Sequence, residues 1–127
     1  MNPALIKALG TGCTILLTLG IGVAFGTENA EDLIAKGDVY YARLQASESL
    51  KYYLPAEKLD PSNVRLLVHI SRGYRHLMND ASSSDEKVKL GRVALGYAKR
   101  AVALSPNDPE AQLALAISCG KTGTLWN

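Results

Sequence analysis

The chain has 127 residues, 47% of them hydrophobic and 20% charged, with a formal net charge of +2. That is enough apolar content for one small folded domain and too much for a disordered chain. Its charges are interspersed rather than gathered in blocks of one sign, which excludes a basic tail, so nucleic acid is not expected as a partner.

Residues 1–26 read as a leader. Lys7 is its one charge, the 18 residues from Ala8 to Phe25 carry none, and Ala24-Phe25-Gly26 has the small-x-small pattern that signal peptidases read. As a helix the uncharged run would reach about 27 Å, close to the thickness of a bilayer core. A cleaved secretory signal and a retained anchor through residues 8–25 both fit, glycines at 10, 12, 20 and 22 weakening the anchor; an N-terminal helix of a soluble fold is the third reading. Cys13 lacks the leucine-like residue three positions earlier that a lipoprotein acceptor carries. The folded part, residues 27–127, has 13 basic and 12 acidic side chains. It is expected to be exported, periplasmic or secreted, or else tethered to a membrane. Cys119 is its lone cysteine, so no intrachain disulfide is expected in the mature chain.

Two proline turns punctuate this part, Leu59-Asp60-Pro61-Ser62-Asn63 and Ser105-Pro106-Asn107-Asp108. A residue before proline is pushed out of the α region, so each turn ends one helical pattern and starts the next. At the second turn Asp108 suits a cap, Pro109 a first helical turn and Glu110 the positive end of a helix dipole. Apolar periodicity predicts helices near 29–44, 47–59, 63–78, 85–104 and 108–120, with no strand: an all-α stack of antiparallel hairpins.

From Ala30 the first hairpin resembles the tetratricopeptide repeat, with Leu33, Gly37, Tyr40, Ser49, Tyr53, Ala56 and Pro61 at the positions that pattern reserves for large, small, aromatic and turn residues. Gly37 lets the neighbouring helix approach, Tyr40 and Tyr53 fill the space between helices, and Tyr41 and Tyr52 are left outside. Pro55 is expected to kink the second helix. In the second hairpin Leu67, Ser71, Tyr74, Ala94, Ala98 and Ala101 take corresponding offsets, with Ser71 in place of glycine. Pro106 follows Pro61 by 45 residues, eleven more than a unit of 34. The surplus falls between the helices, as a polar loop over residues 79–85 and an extension of the following helix from an acidic start. A third unit begins at Pro109 and lacks its second helix, giving about two and a half repeats of a tetratricopeptide-like α-solenoid. Leu113, Ile117 and Trp126 would form an uncovered apolar strip, and a homo-oligomer through it is expected.

The N-terminal hydrophobic segment, the elongated second hairpin and the segments VRLLVHISRGY and PEAQLALAISCGK are similar to the regulator of microtubule dynamics family and its bacterial relatives. The resemblance covers residues 64–121 best; Val68 and Leu115 stand where large aromatics are expected, and the family's later repeats are absent. It implies a membrane-associated or exported scaffold. Microtubule binding does not follow for an exported protein.

Little catalytic chemistry is written in the chain. Gly120-Lys121-Thr122 ends like a phosphate loop but follows a helix and lacks the earlier glycine. His69 and His76 have no carboxylate or cysteine at ligand spacing, and Cys119, with no local base, reads as a small buried hydrophobe. No enzyme activity, cofactor or metal is expected. One constellation stands out: Arg65, His69, Arg72 and His76 recur at spacings of four, three and four, on one face of a helix, with Arg75 adjacent. In a tetratricopeptide stack such offsets face the concave groove, where Asp38 and Tyr41 of the first unit join them as candidate partner-binding residues. The expected function is a non-enzymatic scaffold binding another protein or an acidic peptide there, more tightly at low pH as the histidines charge below about pH 6.5. A small-anion carrier and a truncated fragment of a longer repeat protein are the alternatives.

Overall fold

A computed structural model describes residues 27–123, and the leader, its possible cleavage or membrane role, and Trp126 lie outside the described residues. Within them the chain forms five helices and no strand: α1 (Ala30–Ala42), α2 (Ala46–Leu59), α3 (Val64–Asp80), α4 (Ser84–Leu104) and α5 (Pro109–Gly123). Four of the helices start on side-chain caps. Asn29 accepts the Asp32 amide, Asn63 that of Leu66, Ser83 that of Glu86, and Asp108 that of Ala111. Each satisfies an amide that has no partner inside its helix, worth about 1 kcal/mol. The two proline turns close with the same pair of backbone bonds: Asp60 to Ala56 and Asn63 to Asp60 in one, Ser105 to Ala101 and Asp108 to Ser105 in the other.

The polar loop expected over residues 79–85 is not there. α3 runs on to Asp80 and α4 starts at Ser84, so the connection is as short as the one between α1 and α2. The eleven surplus residues lengthen the two helices of the second hairpin. Ser83 acts as the cap of α4 with Asp85 and Glu86 in its first turn, and an acidic first turn favours helix over coil. Pro55 lies inside α2, which continues past it to Leu59. Both Pro55 and Lys51, whose carbonyl loses its usual donor, are exposed, so water meets that carbonyl.

α3 is the central helix, packed on α2, α4 and α5. One side of it places Leu66 and Ile70 in a cluster with Leu33, Ile34, Leu50, Tyr53 and Ala56. The other places Leu67 and Val68 among Ala98, Ala101, Ala111 and Ala114. Each fully buried leucine or isoleucine contributes about 1.5–3 kcal/mol, and the alanines let α4 and α5 come close. Both hairpins repeat an aromatic stack. Tyr40 lies on Tyr52 at 5.4 Å and Tyr74 on Tyr97 at 5.9 Å, both nearly parallel. Tyr40 is therefore only half-buried, not a core residue, and Tyr52 is half-buried with it. In the outer layer, α2 and α4 are tied through Glu57, which accepts from the Tyr97 hydroxyl (3.2 Å) and from Arg100 (3.1 Å). Burial first, then the Glu57 carboxylate, pushes the Tyr97 phenol up to about 12.

Candidate functional site

The layer of α1, α3 and α5 carries all seven residues singled out from the sequence. Asp38, on α1, is the node at one end. Its carboxylate accepts from the Tyr53 hydroxyl (2.6 Å), from Arg65 (2.8 Å) and from Nδ1 of His69 (3.0 Å). The ring of His69 meets that of Tyr53 edge-on at 5.6 Å. Burial lowers the His69 pKa and outweighs Asp38, which raises it; Arg65 lowers it further. The contact with Asp38 is thus a hydrogen bond from a neutral imidazole rather than an ion pair. His69 does not take up charge near pH 6.5 as the sequence pattern suggests. Burial also raises the Tyr53 phenol, with its bond to Asp38 adding to the effect. Beside this node, Glu31, Ile34, Ala35, Asp38, Asn63 and Arg65 line a cleft of about 180 Å³.

At the other end Tyr41 and His76 meet through Oη and Nε2 at 3.2 Å, with their rings edge-on at 5.7 Å. Arg72 lies over the Tyr41 ring at 5.8 Å and reaches Glu110 on α5 at 3.3 Å. Tyr41, expected outside, is half-buried by these neighbours. A small pocket between Tyr41, Leu44, Ala46 and His76 closes this end. Leu44 holds a φ of 61° in the turn after α1 and is 86% exposed. A side chain in that left-handed region costs about 1–2 kcal/mol, and glycine is the usual occupant.

Three expectations change. Arg75 is not on the open face: it is 7% exposed beneath α5, with Nη1 donating to the Ala114 carbonyl (3.0 Å) and to Ser118 Oγ (3.3 Å). Burial lowers its pKa and Arg72 adds to this, though a guanidinium stays charged at neutral pH. Nor is the stripe purely basic, since Asp38 neutralises Arg65 and Glu110 pairs with Arg72. Glu110 was missed as a site residue, yet it sits second in α5 as Arg65 does in α3, an offset that is legible from the proline turns. Cys119, read as a buried hydrophobe, is exposed, on the flank of α5 that no further described helix covers.

On α5, Glu110, Leu113 and Ile117 share a ridge by their spacing of three and four. Leu113 is 52% and Ile117 37% exposed. A broader hollow, about 540 Å³, lies elsewhere, lined by Asp85, Val88, Lys89, Arg92 and Val93 of α4 alone. With one helix for a wall it is surface relief rather than a site. No helix among the described residues is long and apolar enough to cross a membrane, and no cluster of three or more His, Cys, Asp or Glu among them is placed to hold a metal ion.

Stacked helical hairpins with one layer given over to paired charges, aromatic rings and exposed aliphatic groups define an all-α, repeat-like protein. The profile of a family described as "Regulator of microtubule dynamics protein 1-3" matches residues 33–126, and the chain belongs to that family. No curated protein matches it.

Proposed function

We propose that this chain is a non-enzymatic, tetratricopeptide-like scaffold that holds a segment of another protein along the α1/α3/α5 face. The carrying observation is that the polar and aromatic groups of three helices, Asp38 and Tyr41, Arg72 and His76, and Glu110, converge on this one face. Membership of the regulator of microtubule dynamics family supports an interaction role. The fit of Leu33, Gly37, Tyr53, Ala56 and Pro61 to the repeat pattern supports the tetratricopeptide reading. The leader pattern of residues 1–26 supports export or membrane tethering, and an exported scaffold does not meet microtubules, so that part of the family description is not carried over.

The test is photo-crosslinking in cells of the native host. A benzophenone side chain replaces Ala35, exposed beside the Asp38 cleft, or Lys99, exposed on α4. A discrete crosslinked partner from position 35 and none from position 99 is the expected result. Crosslinks from position 99 alone would move the interaction surface to the outer layer.

A further inference from the structure

We propose that α5 pairs with α5 of a second copy of this chain, antiparallel and about a two-fold axis, through an outward seam of Leu113, Ala116, Ile117 and Gly120. The inference does not depend on the scaffold reading of the α1/α3/α5 face.

The larger aliphatic groups of α5 lie on its outer side. The side chains it buries are small or polar: Ala111, Ala114, Ser118 and Thr122. Leu113 and Ile117 meet water instead, 52% and 37% exposed. Ala116 and Gly120 beside them are exposed as well. From Leu113 the other three follow at spacings of three, four and seven, which makes one continuous stripe along the helix, opposite the buried one. No charge interrupts it, because the ten residues from Ala111 to Gly120 carry none. A helix that is apolar on both sides has a second surface to cover.

The order of sizes along the seam names the occupant. It runs large, small, large, small: Leu113, Ala116, Ile117, Gly120. Two such seams laid parallel and in register set leucine on leucine and isoleucine on isoleucine, with gaps at the small residues. Laid antiparallel, with the axis between Ala116 and Ile117, they set Leu113 against Gly120 of the second copy and Ile117 against its Ala116. The same contacts recur on the other side of the axis. Large into small is how close-packed helix crossings fill space, and a patch that complements itself under a two-fold is what an isologous dimer requires. The place for Leu113 is open, since a Cβ built on Gly120 meets nothing within 4 Å. The charges agree with this direction. It brings Glu110, whose side chain is 65% exposed, to the end at which Lys121 of the second copy lies, and sets the positive end of one helix beside the negative end of the other. One helix seam is a small interface, so the dimer should dissociate on dilution.

The test places single cysteines on the full chain, with Cys13 and Cys119 replaced by serine, and adds a short bismaleimide. A mixture of Leu113→Cys and Gly120→Cys is expected to give a crosslinked dimer, and each variant alone little. Ile117→Glu changes an exposed side chain, so folding should survive, but a dimer would bury its carboxylate without a partner. It should weaken self-association by at least about tenfold in sedimentation equilibrium, while Lys99→Glu on α4 should not. Each variant linking to itself but not in the mixture would overturn the antiparallel dimer. So would self-association that ignores Ile117→Glu, or a chain that stays monomeric at high concentration. An intrachain crosslink between Leu113→Cys and Trp126→Cys would show residues 124–127 covering the seam instead. Crosslinks in the native host from position 113 only to a protein of another sequence would give the seam to that protein. Both also overturn the inference, and the crosslinks from position 35 still decide the scaffold reading by themselves.

Discussion

The two complete hairpins solve one packing problem with opposite choices of size. In the first, Gly37 is the eighth residue of α1, and a Cβ there would lie 2.4 Å from Cε1 of Tyr53, a ring with no exposed surface. In the second, the eighth residue of α3 is Ser71, and the residue eight before the proline, Tyr53 in the first hairpin, is Ala98. The ring is gone, the small residue has grown, and Ser71 Oγ bonds the Ala94 carbonyl at 2.8 Å and approaches Ser118 Oγ at 3.4 Å. A helix crossing is thus fixed by the sum of two side chains and not by either alone. The exchange also has a consequence for the site: Tyr53 reaches through to hold Asp38, while the second hairpin has no such arm and its face is held by Arg75 from α3 instead.

The comparison breaks most severely at Tyr53. Tyr53→Ala should destabilise the chain by about 4 kcal/mol, as for other large buried aromatics, read from urea denaturation. Gly37→Ala should cost about 2 kcal/mol through overpacking against that ring. In a Tyr53→Ala background the same change should become neutral or stabilising, because alanine is the better helix former; a penalty that persists would mean the ring is not the obstacle. On the other side, Ser71→Ala should lose only about 1 kcal/mol, the worth of one buried hydrogen bond, without steric relief. Gly96, on α4, has nothing within 4 Å of its Cβ position, so Gly96→Ala should stabilise by up to about 1 kcal/mol, opposite in sign to Gly37→Ala.

The smallest effect concerns pH. His69 has a lowered pKa in the folded chain, so the unfolded chain binds the proton more readily. Its contribution to stability is whole above the usual histidine value of 6.5 and is lost as pH falls below it. His69→Asn keeps a donor for Asp38 and removes the titration. Denaturation midpoints measured from pH 7.5 downward should fall less steeply for the variant; parallel curves would show that His69 is not held neutral.

The sequence alone determined what depends on neighbours a few residues apart. Caps at Asn63 and Asp108, the matched proline turns, the helix order and the complementarity of Gly37 with the ring of Tyr53 all follow from local sterics or from a repeated offset. Tertiary structure decided the rest. The run Ser82-Ser83-Ser84 reads as part of a polar loop, yet Ser83 became a cap and Ser84 a helix start, where the longer α3 and α4 pack along each other. Periodicity placed Arg75 near a basic stripe, but its burial depends on α5 lying over that part of α3, a contact between residues 39 apart in the chain. The same holds for the pairing of Asp38 with Arg65 and His69, and of Arg72 with Glu110, each formed across two helices. A one-dimensional pattern tells which side of a helix a residue lies on, but which charges meet, and which are left without a counter-ion, is set by how the helices are placed against one another.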